Sequence, residues 1–123
     1  EAGLGFAVGW EKASFRGREA LLAQRPLPRT KRLIQFRLEH PDTLLYHDDP
    51  IRRDGQLVGR TSSGMWSYVE DRCLAMGYLN YPEGVTEAWL EAGTYDIEVA
   101  GRRIPATASI RSFYDSMNER VRR

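Results

Sequence analysis

The stretch Ile51-Arg52-Arg53-Asp54-Gly55-Gln56-Leu57-Val58 admits few folds. Asp54-Gly55 is a two-residue turn signal, because both central positions of a type I′ turn need positive φ, which Gly takes freely and Asp tolerates. A hairpin is expected here. Its return strand then meets Thr61-Ser62-Ser63-Gly64, small hydroxyls ending in glycine, as at a corner where two backbones approach closely. A second pattern of the same kind follows. Thr94 to Val99 alternates strictly with Tyr95, Ile97 and Val99 on one face, Ala100-Gly101 supplies a tight turn, and Ile104, Ala106, Ala108 and Ile110 face inward on the return. Pro105 points the other way and cannot donate to a ladder, so it marks an edge.

Between and before these hairpins the period is also two. Leu33 to Leu38 reads as a strand with Ile34, Phe36 and Leu38 inward, and Cys73 to Leu79 as another. Glu39 to Asp49 is a loop, Asn80 to Gly84 a turn, and Val85 to Ala92 either a strand or a single helical turn. Short strands with regular turn signals point to an antiparallel barrel or sandwich. The leading piece differs. Gly3 to Trp10 alternates loosely, with Leu4, Phe6 and Val8 on one side, and reads as a short strand. From Gly17 to Gln24 come good helix formers, with Ala20, Leu21 and Leu22 as the apolar stripe, and Pro26 ends the run. Pro26-Leu27-Pro28-Arg29-Thr30 is a stiff linker. The expected architecture is mainly β, an antiparallel barrel over 31–123, preceded over 1–30 by a short strand and one helix.

A chain of 123 residues with net charge +1 is one domain with room for a real core. Its interspersed charges give no reason to expect a nucleic-acid or anionic-membrane partner. The basic terminus Arg120-Val121-Arg122-Arg123 reads as a solvated tail. A single cysteine, Cys73, excludes an intrachain disulfide and reads as a small buried hydrophobe. No apolar run is long enough to span a bilayer. The chain opens Glu1-Ala2-Gly3 without methionine, so part of a longer polypeptide is expected.

Machinery for catalysis is thin, and no catalytic residue is assigned. His40 and His47 share one loop with Asp42, Asp48 and Asp49 and read as polar loop rather than as metal ligands. Ser62 and Ser63 have no histidine beside them in sequence to act as base. No P-loop or dinucleotide fingerprint is present. Tyr46 and Trp66 are aromatics on or next to loops, where such rings either stack on a flat ligand or cap a small core.

Phe15-Arg16-Gly17-Arg18-Glu19-Ala20-Leu21, Gly59-Arg60-Thr61-Ser62-Ser63-Gly64, Ala75-Met76-Gly77-Tyr78, Gly93-Thr94-Tyr95, Val99-Ala100-Gly101-Arg102 and Phe113-Tyr114 occur in this order. Each is weak alone. Together they resemble the C-terminal part of the glycine-cleavage T-protein (aminomethyltransferase) superfamily over nearly the whole chain. With Glu1-Ala2-Gly3-Leu4 and Asn118-Glu119-Arg120-Val121, the chain looks most like the tail of FAD-dependent sarcosine and dimethylglycine dehydrogenases.

The resemblance implies a final barrel domain helping to hold tetrahydrofolate, which accepts the one-carbon unit. The FAD domain and the acidic residue acting on folate would lie upstream. Phe6 matches the aromatic that lines the folate site, and Tyr46 and Trp66 join it as candidate cofactor-binding residues. Where T-proteins carry an arginine before the first hairpin, this chain has Tyr46-His47-Asp48, which puts recognition of the folate glutamate by that loop in doubt. Implied partners are the upstream domains of the same polypeptide, with a further copy able to pair along the exposed strand Gly3 to Trp10. The implied compartment is the bacterial cytoplasm or, in a eukaryote, the mitochondrial matrix. Alternatives are the C-terminal domain of a folate-dependent aminomethyltransferase without flavin, or a barrel that braces its neighbours and touches no ligand.

Overall fold

The computed structural model describes residues 1–120 and residue 122; Val121 and Arg123 of the basic terminus lie outside the described residues. Strands β1 (Lys31–Leu38), β2 (Pro50–Arg53), β3 (Gln56–Ser67), β4 (Arg72–Asn80), β5 (Tyr95–Val99) and β6 (Arg102–Ser109) close into an antiparallel barrel in the order β1-β4-β3-β2-β5-β6, with β6 returning to β1. Helix α1 (Arg18–Gln24) precedes the barrel and α2 (Glu87–Glu91) connects β4 to β5.

The period-two faces point where alternation requires. Ile34, Phe36 and Leu38 of β1, and Ile97 of β5, have no solvent exposure. Ile51, Leu79 and Cys73 fill the space between them. Each large side chain buried this fully contributes about 1.5–3 kcal/mol, so the barrel interior carries the stability of the fold. Both tight turns form as read: Asp54 and Gly55 have φ of 50° and 81°, and Ala100 and Gly101 have φ of 48° and 75°.

The corner expected at Gly64 lies earlier. β3 runs unbroken through Gly64 to Ser67, and its register shifts between Thr61 and Ser63 instead. Ser62 is the extra residue of a bulge, and its hydroxyl donates to the Met76 carbonyl at 3.0 Å. Gly64 serves the close approach rather than the bend, facing Leu45 of the loop before β2. Pro105 does not mark a free edge, since the barrel has none. It sits where the β1–β6 ladder ends, and its carbonyl accepts from the Glu39 N–H, just past β1.

Val85 to Ala92 resolves as helix. The Thr86 hydroxyl accepts from the Trp89 N–H at 3.1 Å, an N-cap that starts α2, and Leu90 is buried beneath it. Gly3 to Trp10, expected as a strand, is instead a 3-10 turn at Leu4–Ala7. The alternation is short and interrupted by glycines, and a closed barrel offers no edge for another strand. One backbone bond ties the segment on, from the Leu33 N–H to the Glu1 carbonyl at 2.9 Å. Leu4 and Phe6 are exposed, as expected, but they offer no strand edge along which a second copy could pair. α1 begins after Gly17 as read, yet none of its residues is buried. Of its expected stripe only Leu21 is half-buried. Among the described residues no helix is long and apolar enough to cross a membrane.

Candidate functional site

Phe6 stands on the 3-10 turn with 87% of its surface exposed, an unusual position for a phenylalanine ring. It lines a hollow of about 440 Å³ together with Leu4, Trp10, Leu21, Arg29 and Arg32. The hollow lies at the β1 end that begins with Lys31. Its wall is held by local contacts. The Trp10 indole N–H donates to the Gly5 carbonyl at 3.2 Å, and the Arg25 guanidinium covers the Trp10 ring at 4.8 Å.

Arg29 and Arg32 line the hollow, and both contact Val85, Arg29 through its backbone and Arg32 through its side chain. The Arg29 carbonyl accepts from the Val85 N–H at 2.8 Å, and Arg32 Nη1 donates to the Val85 carbonyl at 3.4 Å. Burial pushes the Arg32 pKa below its ordinary value, the neighbouring Arg29 charge lowers it further, and Glu87 partly offsets both.

Tyr46 belongs to a different surface. Its N–H donates to Asp49 Oδ2 at 2.8 Å, and its carbonyl accepts from the hydroxyl of buried Thr61 at 3.0 Å. The backbone is thus pinned against β3 while the ring is 60% exposed. Arg60, also from β3, donates to the Asp48 carbonyl at 2.9 Å, so a guanidinium does approach this loop although the loop carries none itself.

Trp66 sits opposite Cys73 on β3, its ring half-buried against the core. It lines a separate hollow of about 470 Å³ with Gln35, Gly64, Met65, Leu74 and Met76. In the β1–β4 ladder, Lys31 pairs with Asn80 and Arg37 with Leu74. Phe6 therefore lies by the first end of that ladder and Trp66 by the other, and their hollows share no residue. The structure does not bring Phe6, Tyr46 and Trp66 together within this chain. Among the described residues, no three of His, Cys, Asp and Glu gather closely enough to hold a metal ion.

A second feature joins β2, β5 and α2. The Arg53 guanidinium lies over the Trp89 ring at 4.5 Å and donates to the Trp89 carbonyl at 3.0 Å, and Trp89 stacks on Tyr81 at 4.7 Å. Neither Arg53 Nε nor the Tyr95 hydroxyl beside it meets a partner among the described residues. Burial raises the Tyr95 pKa, and the Arg53 charge only partly opposes this. The cluster brackets α2 against the barrel.

Sequence reasoning passed over Arg29, Arg32 and Trp10. The signal was two arginines in and just after the proline-rich linker, but only the folded chain places them in one hollow with Phe6.

Residues 31–115 match the family model described as the glycine cleavage T-protein C-terminal barrel domain. The chain is 32% identical over 122 residues to 4-methylaminobutanoate oxidase (formaldehyde-forming) of Paenarthrobacter nicotinovorans, covering 98% of this chain and 14% of that protein. It is 33% identical over 125 residues to the mitochondrial sarcosine dehydrogenase of Homo sapiens, covering 99% of this chain and again 14% of the relative. The crystal structure of the glycine cleavage system aminomethyltransferase T from Bartonella henselae superposes with a TM-score of 0.70 at 24% identity, over 91% of this chain and 30% of that one.

Proposed function

Because this chain belongs to the glycine cleavage T-protein C-terminal barrel domain family, we propose that it is the C-terminal folate-side domain of a sarcosine/dimethylglycine dehydrogenase-like flavoenzyme. The observation that carries this reading is the match to an N-methyl amine oxidase and to sarcosine dehydrogenase over 98% and 99% of the chain. In it, the preceding domains of a longer polypeptide hold FAD and oxidise the amine. Tetrahydrofolate accepts the one-carbon unit, and this barrel forms one wall of its site.

The residues around Phe6 suit that task. An exposed aromatic face accepts a flat ring by stacking, and arginine side chains suit the carboxylates that such a ligand carries. The division of labour is then binding and orientation by this chain, with proton and electron transfer assigned to residues elsewhere. Residues 1–30 are read as the end of the preceding folate-binding domain, which accounts for a 3-10 turn and helix that pack so lightly on the barrel.

Phe6→Ala in the longer polypeptide tests the role of this chain. The reading expects tetrahydrofolate affinity to fall at least tenfold while the unfolding midpoint stays put, because Phe6 packs on little else. Unchanged affinity contradicts it. A barrel that only braces its neighbours is the competing reading, favoured by the separation of Trp66 from Phe6. It expects no tetrahydrofolate binding by either length of chain.

A further inference from the structure

The outer face of β4 is less polar than a sheet face left to water should be. Alternation puts Cys73 and Ala75 in the core, so Leu74 and Met76 point outward. On β3, Met65 stands opposite Leu74 and diagonal to Met76, and on β1, Gln35 stands opposite Met76. Met65 is 77% exposed and Met76 41%. The turn after β3 adds Tyr68 and Val69, both exposed. Beside these side chains lies the hollow of about 470 Å³ that Trp66 lines, and among the described residues none of its lining carries a charge. A projecting apolar side chain next to an uncharged hollow is what a two-fold contact of a surface with itself requires, because each copy must offer both halves.

Charges sit at the two ends of this face. At one end the β3–β4 turn projects Asp71, exposed and in no ion pair among the described residues. The other charges there are engaged. Arg37 pairs with Glu70 at 3.1 Å, and Arg72 Nε donates to the Glu70 carbonyl at 3.3 Å. At the opposite end Lys31 and Arg60 flank Tyr78, with the Lys31 ammonium 4.8 Å over its ring, and among the described residues neither pairs with a carboxylate. Two copies laid face to face with β4 running in opposite directions bring the acidic end of each onto the basic end of the other. Running them in the same direction sets like charges together, which is unfavourable. A net charge of +1 leaves little overall repulsion between copies.

We infer that this face pairs two copies of the chain about a two-fold axis crossing β4 near Met76. Met65 of each copy sits in the hollow of the other, where its flexible thioether fits an irregular space, and Asp71 of each meets Lys31 of the other. Three strands about 4.8 Å apart and the 9 residues of β4 give a face of about 400 Å² per copy, against roughly 800 Å² in stable interfaces. The dimer is therefore weak and in equilibrium with monomer. This pairing does not rest on the folate reading.

The test is sedimentation equilibrium of this chain at rising concentration, with backbone amide NMR of the same samples. The mass should climb from one chain toward two by about 1 mM, the range of a weak interface. Concentration-dependent shifts should centre on Met65, Leu74 and Met76. Met65→Glu places a charge in the apolar contact and weakens association at least tenfold. Asp71→Asn removes the end charge from both copies at once and weakens it at least threefold, as the loss of two exposed ion pairs would. Asparagine tolerates the positive φ of that turn position. Both side chains are exposed, and an unchanged unfolding midpoint at low concentration checks that the fold is kept. A chain that stays monomeric at about 1 mM, or association that either variant leaves unchanged, would overturn the inference. So would shifts at Met65 and Met76 that arise only in the longer polypeptide, which would assign the face to the preceding domains.

Discussion

Leu45 packs so closely on the backbone of Gly64 that a β-carbon at position 64 would lie 2.6 Å from the β-carbon of Leu45. Leu45 is buried and belongs to the core, so the loop between β1 and β2 is anchored through this contact as well as through the Thr61 hydroxyl. Gly64→Ala should therefore cost about 1–3 kcal/mol, the usual range for forcing extra volume into a packed site. Urea unfolding reads this directly. A paired Leu45→Gly change, which removes the β-carbon that is struck, should recover part of the loss, giving a coupling energy of opposite sign in a double-mutant cycle. An additive pair would mean the loop shifts freely and the contact matters little.

Asp54 does more than form a turn. Its Oδ1 accepts from the Thr94 N–H at 2.9 Å, its own N–H donates to the Thr94 carbonyl at 2.8 Å, and Oδ2 pairs with Arg53 at 2.6 Å. These contacts join the β2–β3 turn to the start of β5, where the barrel must close. Asp54→Ala should cost about 1–3 kcal/mol, since it leaves a donor unpaired. Gly55→Ala should cost about 1–2 kcal/mol, from placing a β-carbon at positive φ. Thermal unfolding of the two variants checks the order, Asp54→Ala being expected to melt lower.

Tyr95 makes stability depend on alkaline pH. Its folded pKa is raised by burial, so below the ordinary tyrosine value of about 10 its contribution is fully present. As pH rises past that value the unfolded chain releases the proton first, and stability falls until the folded pKa is passed. Tyr95→Phe should abolish this component. At neutral pH the variant should lose little stability, because the hydroxyl makes no hydrogen bond of good geometry among the described residues and has only the Arg53 guanidinium beside it. Unfolding midpoints between pH 8 and about 11 test this. A large loss at neutral pH would show that the hydroxyl is hydrogen-bonded after all.

The barrel was largely legible in the sequence because its information is local. Alternation over Leu33 to Leu38 and Thr94 to Val99 names the buried face residue by residue, and Asp54-Gly55 and Ala100-Gly101 name the turns by backbone conformation. What was not legible depends on closure. Whether Gly3 to Trp10 could be a strand turned on the availability of an edge, and the return of β6 to β1 removed it. The bend placed at Gly64 fell at Ser62 because register between β3 and β4 decides where an extra residue is accommodated. Val85 to Ala92 was ambiguous until Thr86 was seen to cap the Trp89 N–H.

The site was less legible than the fold. Phe6 is marked by family resemblance, but Arg29 and Arg32, which line the same hollow, are more than twenty residues away, and only the fold brings the two segments together. Trp66 illustrates the opposite case. An aromatic beside a loop-like Ser-Ser-Gly string turned out to be a strand residue with its ring half-buried against the core, because β3 continues past the glycine.

The most direct test of the account is calorimetric titration of tetrahydrofolate into this chain and into a longer polypeptide carrying the natural upstream sequence. The account predicts that the longer polypeptide binds and that this chain alone binds much more weakly, its barrel being one wall of a shared site. Absence of binding by both would contradict it and leave a barrel that braces its neighbours.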